Sequence, residues 1–164
     1  MAIGYAWTFA DIFRVAVRLE QDGLAFYRRA REMNLNPGVA RVFAELAADE
    51  EKHARDFEAT YFEREDDRPR TQGESKALEA LERVYRGTIF GSGRPPLERL
   101  ASIKTDAEAL ALAISMEEDA IRFYQGLLPF AEKEEARAAL EDLIAQEGKH
   151  ATLLRGELAR AGGG

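Results

Sequence analysis

The chain has 164 residues, 46% of them apolar, enough to fill one core of ordinary size without a staple. It contains no Cys and only two His, which excludes a disulfide scaffold, a zinc finger, an iron–sulfur cluster and a cysteine nucleophile. Its 30 acidic residues against 23 basic ones leave a net charge of −7, which argues against a nucleic-acid surface. No run approaches the roughly 18 apolar residues of a membrane span. The start, Met1 to Phe9, lacks a basic region and meets Asp11 too early for a signal peptide. The expectation is one cytoplasmic domain with neither nucleic acid nor membrane as a partner.

Proline and glycine punctuate the chain and leave long stretches rich in Ala, Glu, Leu and Arg between them, which read as helices. The first runs from about Phe9 to Met33 and stops at Asn34-Leu35-Asn36-Pro37-Gly38, a terminator joined to a turn signal. The second follows from about Val39 to Arg64. About forty residues, Glu65 to Thr105, then separate this hairpin from the next, too many for a structureless loop. Leu78, Leu81 and Tyr85 place a short helix at about Glu74 to Arg86, ending at Gly87 in a bend where Ile89 and Phe90 serve as anchors. The third long helix runs from about Asp106 to Leu128, broken at Pro129, and the fourth from about Glu132 to Ala159. Nowhere do β-branched or aromatic residues alternate with polar ones over a useful length. The fold class is therefore all-α: two helical hairpins, about 9–64 and 106–160, joined by a crossover over about 65–105. Trp7 is read as packing, the run Glu63 to Arg70 as a solvated turn and the final glycines as a frayed tail.

An internal repeat sharpens this reading. Arg18-Leu19-Glu20-Gln21-Asp22-Gly23-Leu24-Ala25-Phe26-Tyr27 aligns without gaps to Ser115-Met116-Glu117-Glu118-Asp119-Ala120-Ile121-Arg122-Phe123-Tyr124, at an offset of 97. The same offset carries Glu50-Glu51-Lys52-His53-Ala54 onto Glu147-Gly148-Lys149-His150-Ala151, which pairs both histidines of the chain. Each hairpin thus has a lone Glu on its first helix and a Glu-x-x-His on its second.

Helical geometry says where these residues point. Phe9, Phe13, Ala16, Glu20, Gly23, Tyr27 and Ala30 fall at steps of three and four, so Glu20 lies inside an apolar seam. Glu117 does so among Leu110, Ala113, Ala120, Tyr124 and Leu127. Phe43, Leu46, Glu50, His53 and Phe57 form the seam of the second helix, and Leu140, Leu143, Glu147, His150 and Leu154 that of the fourth. Glu20 and Glu50 stand about a dozen residues on either side of their turn, and Glu117 and Glu147 nearly so, which brings all four to one level at 1.5 Å per residue. Glu51, Glu118, Asp22 and Asp119 flank the motifs off the seam and read as solvated faces.

Four carboxylates in one core layer repel one another and lose their water, a burden for a domain stable by about 5–15 kcal/mol. Protonation is one remedy. Two divalent cations are the other, because four carboxylates and two neutral imidazoles then sum to zero. This donor set suits iron or manganese and also accommodates zinc. A lone Glu-x-x-His in an acidic helical protein is weak evidence, whereas two at a shared offset, each matched by a seam Glu, are strong.

The sequence resembles the ferritin-like superfamily and, within it, rubrerythrin-type proteins lacking a rubredoxin domain. The resemblance is carried by Glu20 with Tyr27, Glu50-x-x-His53, Glu117 with Tyr124 and Glu147-x-x-His150, and it covers most of the chain. It implies a ferritin-like four-helix bundle that holds two metal ions, iron first, with Glu20, Glu50, His53, Glu117, Glu147 and His150 as ligands that also carry the catalysis. By the same resemblance Glu50 and Glu147 bridge the ions, Glu20 and Glu117 are terminal, and each ion has one imidazole. Tyr27 and Tyr124 then hydrogen-bond behind the ligands, and Asp49 orients a histidine of the opposite hairpin, where the repeat has Gln146. A homodimer suits the resemblance.

Two departures narrow it. Rubrerythrin proper has a further Glu three residues after the lone Glu of its third helix, where this chain has Ala120, and support for efficient peroxide reduction weakens accordingly. Bacterioferritin binds haem through a Met between the Glu and His of its second helix, whereas Glu51 stands at the neighbouring position here, so no haem is expected. With no Cys, electrons must come from a separate donor. The expected activity is an oxidoreductase reacting with O2 or peroxide, of ferroxidase or peroxidase type. The alternatives are a metal-binding or iron-handling protein without turnover and a structural bundle filled by zinc.

Overall fold

Six α-helices and two short 3-10 turns make up the regular structure of a computed structural model that describes residues 9–33, 35–62, 72–89, 95–131 and 134–161. Helix α1 spans Phe9–Ala30 and α2 spans Pro37–Phe62. Between them the chain tightens, Met33 N donating to Ala30 O at 3.1 Å. The helix ends at Ala30 rather than Met33 because this turn already answers the last carbonyls. Asn36 caps α2: its Oδ1 accepts from Gly38 N at 2.9 Å, a bond of a kind worth about 1 kcal/mol. Pro37 therefore occupies the first helical position, where its missing N–H costs nothing, and α2 begins two residues before the expected Val39.

The crossover holds α3, Gln72–Ile89, and a single helical turn, α4, Pro96–Arg99, continued by the 3-10 turn Leu100–Ser102. Helix α3 is longer than its sequence pattern suggests and passes through Gly87, because glycine inside a helix costs only about 1 kcal/mol relative to alanine and does not by itself end it. Leu81 and Tyr85 are buried against α1 and α5. Helix α4 has no counterpart among the elements expected from periodicity. Trp7, the run Glu63 to Arg70, Phe90 and the final glycines lie outside the described residues, as do the side chains of Phe9, Leu78 and Ile89.

Helix α5, Asp106–Leu127, starts on a cap in which Thr105 accepts from Glu108 N at 3.2 Å while Glu108 Oε2 accepts from Lys104 N at 2.8 Å. Asp106 also accepts from Asn36 N at 3.2 Å, which ties the start of α5 to the α1–α2 turn. After the 3-10 turn Leu128–Phe130, where Pro129 prevents continuation, α6 runs Glu134–Ala161. Helix α1 packs along α2 and α5 along α6, and the two hairpins meet through α1 with α5 and α2 with α6. No helix is long and apolar enough to cross a membrane among the described residues.

The buried apolar side chains form two separate clusters. One gathers Phe13 to Leu19 of α1, Leu81 and Tyr85 of α3, Ala120 to Leu127 of α5 and Ala136 to Leu143 of α6. The other gathers Phe26 to Ala30, Val39 to Ala47 of α2, Ala109 to Ala113 of α5 and Leu154 of α6. On each of the four long helices one stretch separates the two clusters: Glu20, Glu50 to His53, Glu117, and Glu147 to His150.

Candidate metal centre

The layer between the two clusters is polar and buried. All six of its acidic and imidazole residues are at most 7% exposed, and no Lys or Arg is buried among the described residues. Helices α1 and α5 contribute one Glu each. Helices α2 and α6 contribute a Glu and a His three positions apart, so both side chains leave the same face. The two imidazole rings stack at 5.6 Å between centroids with 15° between their planes.

His53 Nδ1 lies 3.2 Å from Glu20 Oε2. His150 Nδ1 lies 3.1 Å from Glu147 Oε2, 3.4 Å from Glu50 Oε1 and 3.8 Å from Glu117 Oε1. Two overlapping groups of donors result. Glu20, Glu50, His53 and Glu147 offer ligand atoms within 4.8 Å of one another, and so do Glu50, Glu117, Glu147 and His150. Glu50 and Glu147 belong to both. The sets fit two divalent ions by their chemistry, with oxygen donors, one imidazole per group, and four negative charges that no basic side chain answers.

The electrostatics state the same problem in protons. Burial, and then the charges of Glu147, Glu20 and Glu117, push the Glu50 carboxyl well above its ordinary range. Burial and the neighbouring Glu147 do the same to Glu117. Glu147 is pushed up to about 8 by burial and then by Glu20. Glu20 goes the other way: burial acts to raise it, but hydrogen bonds with His53, Glu50 and Tyr124 outweigh that and hold it below the usual range. Without cations the layer therefore retains protons at neutral pH.

The hydroxyls behind the carboxylates cross between hairpins. Tyr124 donates to Glu20 Oε1 at 2.6 Å and Tyr27 donates to Glu117 Oε1. Burial and the nearby carboxylate charges raise both phenols well above their ordinary values, so both remain donors. Exchanging each residue for its partner at the 97-residue offset maps one bond onto the other, which gives the layer an approximate two-fold axis. Asp49 Oδ2 stands 3.7 Å from His150 Nε2, the ring nitrogen turned away from the carboxylates. Its counterpart Gln146 donates to Asp142 at 2.6 Å.

Some neighbours escape the sequence pattern. Asp22, which reads as a solvated acid, is only half-exposed and accepts the hydroxyl of Tyr85 from the crossover helix. Gly23 faces the layer so closely that a Cβ there would stand 3.3 Å from Glu50 Cδ. Pro95, Pro96 and Leu97 lie over a cavity that reaches Glu20, Glu50, Glu117 and Glu147. A signal for Gly23 is present in the repeat, which pairs it with Ala120 and so marks two small residues one turn beyond each lone Glu.

Comparison with known proteins agrees with this geometry. No curated protein and no solved structure gives a significant match. The family model for rubrerythrin matches residues 11–158, which includes all four long helices' polar positions. The chain therefore belongs to the rubrerythrin family, a ferritin-like family with a di-metal site.

Proposed function

We propose that the chain is a di-iron oxidoreductase that reacts with O2 or peroxide, ferrous-iron oxidation being the form of the activity best suited to its residues. The observation that carries this reading is the pair of donor groups sharing Glu50 and Glu147 in a layer with no buried Lys or Arg among the described residues. Glu50 and Glu147 would bridge the two ions, Glu20 with His53 would complete one and Glu117 with His150 the other. When bound, two ferrous ions would supply the one-electron chemistry. Manganese or zinc would satisfy the same donors, and only iron or manganese would give redox activity.

The chain's own contribution is to bind, orient and exclude water. The apolar clusters on both sides of the layer bury it, which strengthens the electrostatic interactions within it. Tyr27 and Tyr124 each fix one oxygen of the lone glutamate of the opposite hairpin, Glu117 and Glu20. Asp49, 3.7 Å from the outer nitrogen of His150, would favour the ring orientation that turns Nδ1 inward. With Ala120 where a further Glu would stand, one acid fewer is available for peroxide cleavage, so oxidation of ferrous iron is favoured over peroxide disposal. A separate donor must return the electrons, because the chain has no Cys for a redox centre of its own.

Element analysis of protein purified without added metal, followed by stopped-flow absorbance after mixing ferrous protein with O2 or peroxide, tests the reading. The expected result is about two irons per chain and a rapid rise of ferric absorption. Iron uptake without that rise would leave a binding protein and remove the oxidoreductase.

A further inference from the structure

We propose that the cavity between α1 and α5 is a binding pocket for a small, uncharged, largely apolar organic molecule, held with one end against the carboxylate layer. The cavity measures about 180 Å³. That exceeds what O2 or peroxide requires, a water occupying roughly 30 Å³ in the liquid, and it is comparable to an apolar protein cavity of about 150 Å³ known to take benzene. Leu19, Phe26, Met116, Pro96 and Leu97 supply its apolar wall. Its inner end is formed by Glu20, Glu50, Glu117 and Glu147.

The space exists because bulk is missing on both helices. Gly23 stands on α1 and Ala120 on α5, at equivalent positions of the repeat, and both border the cavity. Gly23 is needed for the close approach of Glu50, whereas a larger residue at Ala120 would occupy the pocket itself. The crossover supplies the outer wall with Pro95, Pro96 and Leu97, where rigid proline backbone offers no N–H to hydrate. Charge selects the guest. An anion meets four carboxylates, and a cation must shed its water against an apolar wall and compete with metal for the same oxygens. An uncharged molecule of about benzene's size suffers neither penalty.

The inference deepens the di-metal reading by naming a substrate class for the same centre, but the pocket is a property of the chain and can be tested without turnover. The chain has three methionines; Met116 lines the pocket, whereas Met33, near the α1–α2 turn, packs against the same apolar cluster without bordering the pocket. Protein labelled with 13C at the methionine methyls is titrated with benzene, metal-free and zinc-loaded, with zinc counted by element analysis on the same samples. A saturating shift of the Met116 methyl with Met33 unmoved is expected in both, and benzoate should produce none in the metal-free protein. Ala120→Leu should abolish the shift, and Ala25→Leu, at an exposed helix position on the rim, should weaken it without endangering the fold. An unmoved Met116 methyl, equal non-saturating shifts at Met33, or an equal response to benzoate would each overturn the pocket. Failure to take up zinc would instead count against the metal reading alone.

Discussion

In the first hairpin His53 faces Glu20 at 3.2 Å, whereas in the second His150 faces Glu147, Glu50 and Glu117 within 3.8 Å and has Asp49 behind it. Glu20 is held ionised by its hydrogen bonds, while its counterpart Glu117 is pushed toward its protonated form by burial and Glu147. Outside the layer the same divergence appears as exchanged polarity: Gln21 donates to Glu58 at 2.7 Å, and at the equivalent place Arg155 donates to Glu118 at 2.6 Å. A repeated hairpin thus reproduces donors faithfully and their environments only loosely. The reason is physical. Donor positions are constrained by one another across the axis, whereas the residues around them are under no such mutual constraint.

The largest test removes what the hairpins share. Glu50→Ala with Glu147→Ala should reduce metal content from about two ions per chain to none and erase the stabilisation by metal, about 3–4 kcal/mol at high occupancy. Element analysis and thermal unfolding with and without zinc read both. Full stoichiometry in that variant would dissolve the shared-carboxylate arrangement.

Metal removal comes next, and its sign depends on pH. Carboxyls raised in the folded state bind more protons folded than unfolded, so their contribution is present below the ordinary value near 4.5 and lost as pH rises through the folded values, about 8 for Glu147. Metal-free protein should therefore become less stable from about pH 5 to pH 8, and the gain on adding metal should grow over the same interval. Urea unfolding at a series of pH values measures this, with the proton release on metal binding as an independent check. A metal-free stability that rises with pH would contradict the proton-loaded layer.

The two imidazoles then separate the halves. His150→Ala should weaken metal binding more than His53→Ala, because His150 meets three carboxylates. Equal losses by calorimetry would show that the asymmetry has no energetic weight. Among the hydroxyls, Tyr124→Phe should cost about 2 kcal/mol of metal-free stability and Tyr27→Phe about 1, since Tyr124 serves the carboxylate that stays ionised. An effect of similar size belongs to the outer acid: Asp49→Asn should weaken metal binding about tenfold, and Gln146→Asp should restore symmetry by strengthening it by a similar factor.

Much of the architecture is legible without coordinates. The long helices, the hairpin turn at Pro37 and the burial of Glu20, Glu50, His53, Glu117, Glu147 and His150 follow from periodicity and repeat, because residues at steps of three and four must share a face. Less legible are the ends of α1 and α3. Gly87 reads as a stop although the helix continues through it, because a glycine ends a helix only when its backbone turns left-handed, and the packing around it decides that. Asp22 reads as solvated for a similar reason: its partner Tyr85 is remote in sequence and arrives with the crossover.

The amino-acid sequence by itself determined an acidic, cysteine-free helical chain with two copies of one donor pattern, since composition and spacing act through local geometry alone. Tertiary structure decided which tyrosine serves which glutamate, which histidine gains an outer acid, and that a proline-walled cavity opens beside the layer. Those outcomes depend on the packing of one hairpin and the crossover against the other hairpin, which no local periodicity encodes.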